Sequence, residues 1–148
     1  RWPGKSRKRE FCAMDEAVKT AVARWLAKAA NDLRTAETML SVVPPVVDTS
    51  CYHAQQCVEK CLKAFLTAAD RHVERTHSLP RLVELCAEME PAFGCLADVG
   101  VELTGYASQS RYPDDWREIP VDEALAAVEK ARMVFAFAKA EIEKRGAK

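Results

Sequence analysis

The stretch CYHAQQCVEKCLKAFL, from Cys51 to Leu66, decides how the rest of the chain is read. At about 100° per helical residue, Ala54, Cys57, Val58, Cys61, Leu62 and Phe65 fall in one apolar sector, the pattern of a helix with one face against a core. On the other side His53, Gln56, Lys60 and Lys63 gather in an arc of about 80°, flanked by Tyr52 and Glu59. The apolar sector predicts packing, and the polar arc is the first place to look for chemistry.

Upstream, from about Asp15 to Val43, the positions Val18, Val22, Trp25, Ala29, Leu33, Ala36, Leu40 and Val43 recur every three or four residues and predict a long first helix. Pro44-Pro45 stops it, because proline lacks a backbone donor and opposes helix in the residue before it. Asp32 lies near the margin of that stripe and reads as a carboxylate hydrogen-bonded within a bundle rather than a charge in a cleft. Asp48, Thr49 or Ser50 is the expected cap of the second helix, which should run to about Asp70.

Downstream, the polar run from Arg71 to His77 reads as a connection. Ser78 with Pro80 starts a third helix through Leu79, Leu82, Val83, Leu85, Cys86 and Met89, stopped near Pro91. Phe93, Leu96, Val99, Leu103 and Tyr106 predict a fourth, weakened by Gly94, Gly100 and Gly105. The segment Gln109 to Trp116 breaks the pattern at Pro113. After Pro120, Asp122 and Glu123 suit a helix start, Lys144 and Arg145 a helix end, and Val121, Ala124, Val128, Ala131, Phe135, Ala138 and Ile142 form the last long stripe.

With no persistent strand alternation and no linker, the pattern predicts an all-α, up-and-down bundle of four to five helices in one domain, residues 14–145. Phe135 and Phe137 fall on different sides of the last helix, and that excess of apolar surface predicts a homodimer. Residues 1–13 hold Arg1, Lys5, Arg7, Lys8 and Arg9 and read as a disordered basic extension, either an arm able to touch RNA or a segment upstream of the natural start.

Lys plus Arg (22) balance Asp plus Glu (22), so any nucleic-acid contact has to be local. The 49% hydrophobic content argues for a folded chain, and no apolar run reaches the roughly 18 residues of a membrane span. Three of the six cysteines share the second helix, where Cβ atoms a turn apart are poorly directed for bridging, so the expectation is reduced thiols in a cytoplasmic protein. His53, Cys57 and Cys61 share a four-residue spacing, but two of them are on the apolar side and no fourth ligand is paired with them. Neither a metal nor another cofactor is expected.

Three stretches together resemble the HEPN family: Trp25-Leu26 through Asp32-Leu33 and Ala36; His53-Ala54-Gln55-Gln56 with Glu59-Lys60 and Leu62-Lys63-Ala64; and Thr76-His77-Ser78-Leu79. Tyr106 and Arg111-Tyr112-Pro113-Asp114 look like the corresponding segment of prokaryotic members. The resemblance covers about Met14 to Arg145. It implies a helical bundle, usually dimeric, in bacterial or archaeal cytoplasm, with a role connected to nucleotides or RNA and often a minimal nucleotidyltransferase as partner.

The leading expectation is a protein without catalysis of its own that binds nucleotide or RNA, partners such a transferase in a toxin-antitoxin-like system, or does both. Its candidate site is His53, Gln56, Lys60, Lys63 and His77 with Arg111, Tyr112 and Asp114 from the later loop folded back over the second helix. The lysines and Arg111 would hold phosphate, and Tyr112 would offer a stacking face. A second expectation is a metal-independent RNase toxin. In the RNase branch an Arg and a His stand four to six residues apart, which Arg71 and His77 satisfy; imidazole would move the 2′-hydroxyl proton and guanidinium would stabilise the phosphorane-like charge. A third is a helical dimer that binds protein and no small ligand.

Overall fold

A computed structural model describes residues 15–109, 113 and 117–146. The basic segment 1–13 and the candidates Arg111, Tyr112 and Asp114 lie outside the described residues. The described residues are helical, in the order α1 (Glu16–Ser41), α2 (Val47–Ala68), α3 (Leu79–Met89), a 3₁₀ segment (Pro91–Leu96), α4 (Ala97–Thr104), α5 (Tyr106–Gln109) and α6 (Val121–Gly146).

Helix α1 begins where Asp15 Oδ1 accepts from the Val18 amide at 2.8 Å, satisfying an otherwise orphaned donor. It ends before Pro44-Pro45, as the sequence requires. The expected cap of α2 is corrected. The helix starts at Val47, its cap residue Val46 makes no side-chain bond, and Ser50 lies inside the helix. The Ser50 hydroxyl donates instead to the Ala36 carbonyl at 2.8 Å, so it joins α2 to α1.

The C-terminus of α2 closes in a Schellman arrangement. Asp70 takes φ 55°, its amide donates to the Thr67 carbonyl at 3.1 Å, and the Arg71 amide donates to the Leu66 carbonyl at 2.9 Å. Helix α3 begins as the sequence predicts, with Ser78 capping the Arg81 amide and Pro80 in the first turn.

The fourth apolar stripe is real but not one helix. Phe93, Leu96, Val99, Leu103 and Tyr106 are all buried, distributed over the 3₁₀ segment, α4 and α5. The chain steps between these pieces where Gly105 interrupts the helix. At Gly100 a Cβ would stand 3.4 Å from the backbone of Leu79 and Pro80 and from Val83 Cγ2, at the edge of ordinary van der Waals contact, so α4 lies close on the start of α3.

Helix α2 is the central element, packed between α1 and α6. It runs antiparallel to α1, with Ser50 against Ala36 and Lys63 over Trp25. It runs alongside α6 in the same sense: Glu123 lies in the electrostatic reach of Cys51, and the Arg145 guanidinium stands 5.0 Å over the Phe65 ring. The short helices from α3 to α5 supply the return leg of the bundle.

Cys51, Cys57 and Cys61 are fully buried with Ala54, Leu62 and Phe65, so the apolar sector of the quoted stretch is core. Burial pushes the Cys51 thiol up to about 11 and the Cys86 thiol up to about 12. Phe135 and Phe137, on different sides of α6, are both half-buried and packed against the core, Phe137 edge-on to Phe93 at 5.0 Å. The large apolar side chains that α6 leaves exposed are Val121, Leu125 and Met133.

Candidate functional site

The polar arc of α2 does not face solvent as a unit. It is divided between two networks, each centred on a carboxylate, because α1 packs along one edge of the arc and the connection before α3 along the other.

In the first network Asp32 of α1, itself buried, receives His53 Nδ1 at 2.8 Å on one oxygen and Lys60 Nζ on the other. A carboxylate can only accept, so Nδ1 carries the proton, and the second ring nitrogen is an acceptor when the ring is neutral and a donor when it is charged. The His53 and Lys60 side chains keep 27% and 22% of their surface. Two cationic or ionisable tips thus stand at the surface on one buried anion, with the Tyr52 ring edge-on to His53 at 5.2 Å. The reading of Asp32 as a carboxylate hydrogen-bonded within the bundle holds, and it also positions two half-buried members of the arc.

In the second network Glu59, buried on α2, accepts from Lys63 Nζ at 2.9 Å, from the amides of Gln55 and Gln56 at 3.3 Å each, and from His77 Nδ1, which is 3.1 Å from both oxygens. Taking a Glu–Lys pair out of water costs several kcal/mol per ion unless other hydrogen bonds complete its shell. Here they do. Among the described residues no buried side-chain nitrogen or oxygen lacks a partner.

The Lys63 ammonium is buried against Glu59 and lies 5.8 Å over the Trp25 ring, so its charge is engaged within the bundle. Gln56 is similarly engaged, donating to Gln55 Oε1 at 2.7 Å and to Glu59. Gln55 was not a candidate, yet it is fully buried and donates to the His77 carbonyl at 3.3 Å, which fixes the connection against α2. A polar residue on the border of an apolar sector, one turn from a glutamate, was the available signal.

The pair Arg71 and His77 is not brought together. The Arg71 guanidinium donates to Glu88 at 2.8 Å and to the Met89 sulfur at 3.7 Å, at the C-terminal end of α3, whereas His77 stands just before that helix begins. Eleven helical residues separate those ends by roughly 16 Å.

A third polar cluster lies beside the chain positions that flank the remaining candidates. Glu123, in the first turn of α6, accepts from the Tyr106 hydroxyl at 2.5 Å and from Arg117 Nη1 at 2.8 Å. The Arg117 and Tyr106 bonds hold its carboxyl down at about 2, and burial with the bond to Glu123 raises the Tyr106 phenol. Tyr106 precedes residues 110–116 in the chain and Arg117 follows them, and both bond to the one carboxylate.

The HEPN domain family model matches residues 22–142. The crystal structure of TT1696 from Thermus thermophilus superposes with a TM-score of 0.72 at 27% identity, over 81% of this chain and 97% of that one. No curated protein matches the sequence.

Proposed function

Since this chain belongs to the HEPN domain family, we propose that it is a non-catalytic nucleotide-binding protein that works beside a minimal nucleotidyltransferase. The observation that carries this reading is the Asp32–His53–Lys60 cluster at the edge of α1 and α2. Its lysine supplies a point charge for phosphate, and its histidine changes from acceptor to donor as it protonates. With His53 charged, the three groups sum to one positive charge. A bound phosphate favours that state.

The separation of Arg71 from His77 weighs against the RNase alternative. Arg111, Tyr112 and Asp114 remain proposed contributors, since Tyr106 and Arg117, which flank them in the chain, both bond to Glu123. The exposed Leu125 and Met133 on α6 support pairing of two copies, which light scattering at micromolar concentration tests.

Titration calorimetry with ATP, GTP and AMP tests the nucleotide. Binding that weakens severalfold in Lys60→Ala and in His53→Ala is the expected result. Absence of heat with all three nucleotides, together with capture of a minimal nucleotidyltransferase, would instead establish a module that binds only protein.

A further inference from the structure

The outer face of α1 has an unbalanced charge that neither the fold nor the proposed nucleotide site uses. Elsewhere Lys and Arg side chains are mostly held by carboxylates, as Lys130 is by Glu102 and Arg132 by Glu37. On α1, Arg24, Lys28 and Arg34 are exposed and have no carboxylate partner among the described residues. At about 100° per residue they lie within an arc of roughly 120°, and they span roughly 15 Å of helix axis.

Between Ala17 and Ala36 the helix has one carboxylate, Asp32, and that one is buried. Asp15 and Glu16 bound the face at its start, and Glu37 bounds it at the far edge, already engaged by Arg132. Opposite charges one turn apart would support the helix and like charges do not, so the single sign on this face adds nothing to helix stability. The exposed alanines Ala23, Ala27 and Ala30 keep the surface between the cations low, and Asn31 adds an amide.

We propose that this face docks the phosphate backbone of a nucleic-acid duplex. Charge complementarity selects a polyanion in a protein whose net charge of zero gives no general attraction. The absence of an outward aromatic selects a duplex: single strands are held by stacking bases on aromatic rings, and Trp25, the one aromatic of this segment, is half-buried beneath Lys63. A duplex keeps its bases stacked internally and offers its backbone. The proposal uses residues distinct from His53 and Lys60 and does not rest on nucleotide binding there.

The test is fluorescence anisotropy of the full chain with a labelled 20-base-pair DNA duplex at several salt concentrations. Three phosphate contacts predict a log–log salt slope near −2.7, or roughly a 40-fold loss of affinity between 50 and 200 mM salt. The variant R24A/K28A/R34A, with helix content checked by circular dichroism, should bind at least tenfold more weakly and lose most of the slope, while Lys139→Ala binds as the parent does. Mononucleotide binding is unchanged in the triple variant, which keeps the two sites distinguishable. Duplex affinity unaffected by the triple change, no duplex binding at all, or equal affinity for the single strand or for polyglutamate of matched charge would each overturn the proposal.

Discussion

His77 Nδ1 lies 3.1 Å from both carboxylate oxygens of Glu59, so an imidazole with 74% of its side-chain surface exposed is fastened to a carboxylate with 5% exposed. The two partners therefore contribute very differently to stability. Removing Glu59 leaves the Lys63 ammonium buried without its counter-charge, and Glu59→Ala is expected to cost about 3 kcal/mol. His77→Ala, whose ring is already in water, should cost under about 1 kcal/mol. Urea unfolding of both variants measures the difference, and equal losses would contradict the network described above.

The two lysines of the arc should separate by assay. Lys60→Ala is expected to reduce nucleotide affinity severalfold, with a smaller fall in melting temperature because His53 still holds the Asp32 carboxylate and the site is partly open to water. Lys63→Ala is expected to lower the melting temperature by several degrees through the stranded Glu59 charge, with any binding loss secondary to that. Loss of nucleotide affinity in well-folded Lys63→Ala with none in Lys60→Ala would reverse the assignment.

Glu123 gives a pH-dependent contribution. Its ordinary carboxyl value is 4.5, and the bonds from Arg117 and Tyr106 lower it to about 2 in the fold. A depressed acid stabilises the folded state above its unfolded value and loses that contribution as pH falls through the folded one. The stabilisation is therefore full above about pH 5 and disappears between about 4.5 and 2. After allowance for solvent screening, Glu123→Gln should cost about 1–2 kcal/mol at pH 7. Thermal melts from pH 7 to 3 should show a smaller acid-side decline in the variant, and parallel curves would refute the role.

Asp70 occupies the left-handed position of the α2 terminus at φ 55°, where a Cβ is unfavourable. Glycine adopts that conformation without the steric cost, so the substitution should relieve the backbone. Asp70→Gly is expected to raise stability by about 0.5–1 kcal/mol, read as a shift in the denaturation midpoint. A lowered midpoint would mean that the Asp70 side chain has a stabilising role of its own.

The periodicity of apolar residues determined the helices, because a 3.6-residue repeat of buried positions admits few other conformations. It placed α1, α3 and α6 closely, assigned Cys51, Cys57 and Cys61 to the core, and through the His53-to-Lys63 and Thr76-to-Leu79 stretches pointed to the family. What it could not determine was which elements flank each side of α2. An angular projection shows that His53, Gln56, Lys60 and Lys63 share a face, but not that α1 brings Asp32 to one edge while the connection brings His77 to the other. Those neighbours decide burial, and burial leaves the Lys60–Asp32 pair partly open at the surface while it closes the Lys63–Glu59 pair in. Tertiary packing alone therefore separated Lys60 from Lys63, drew Gln55 and Glu59 into the site, and left Arg71 and His77 at opposite ends of α3.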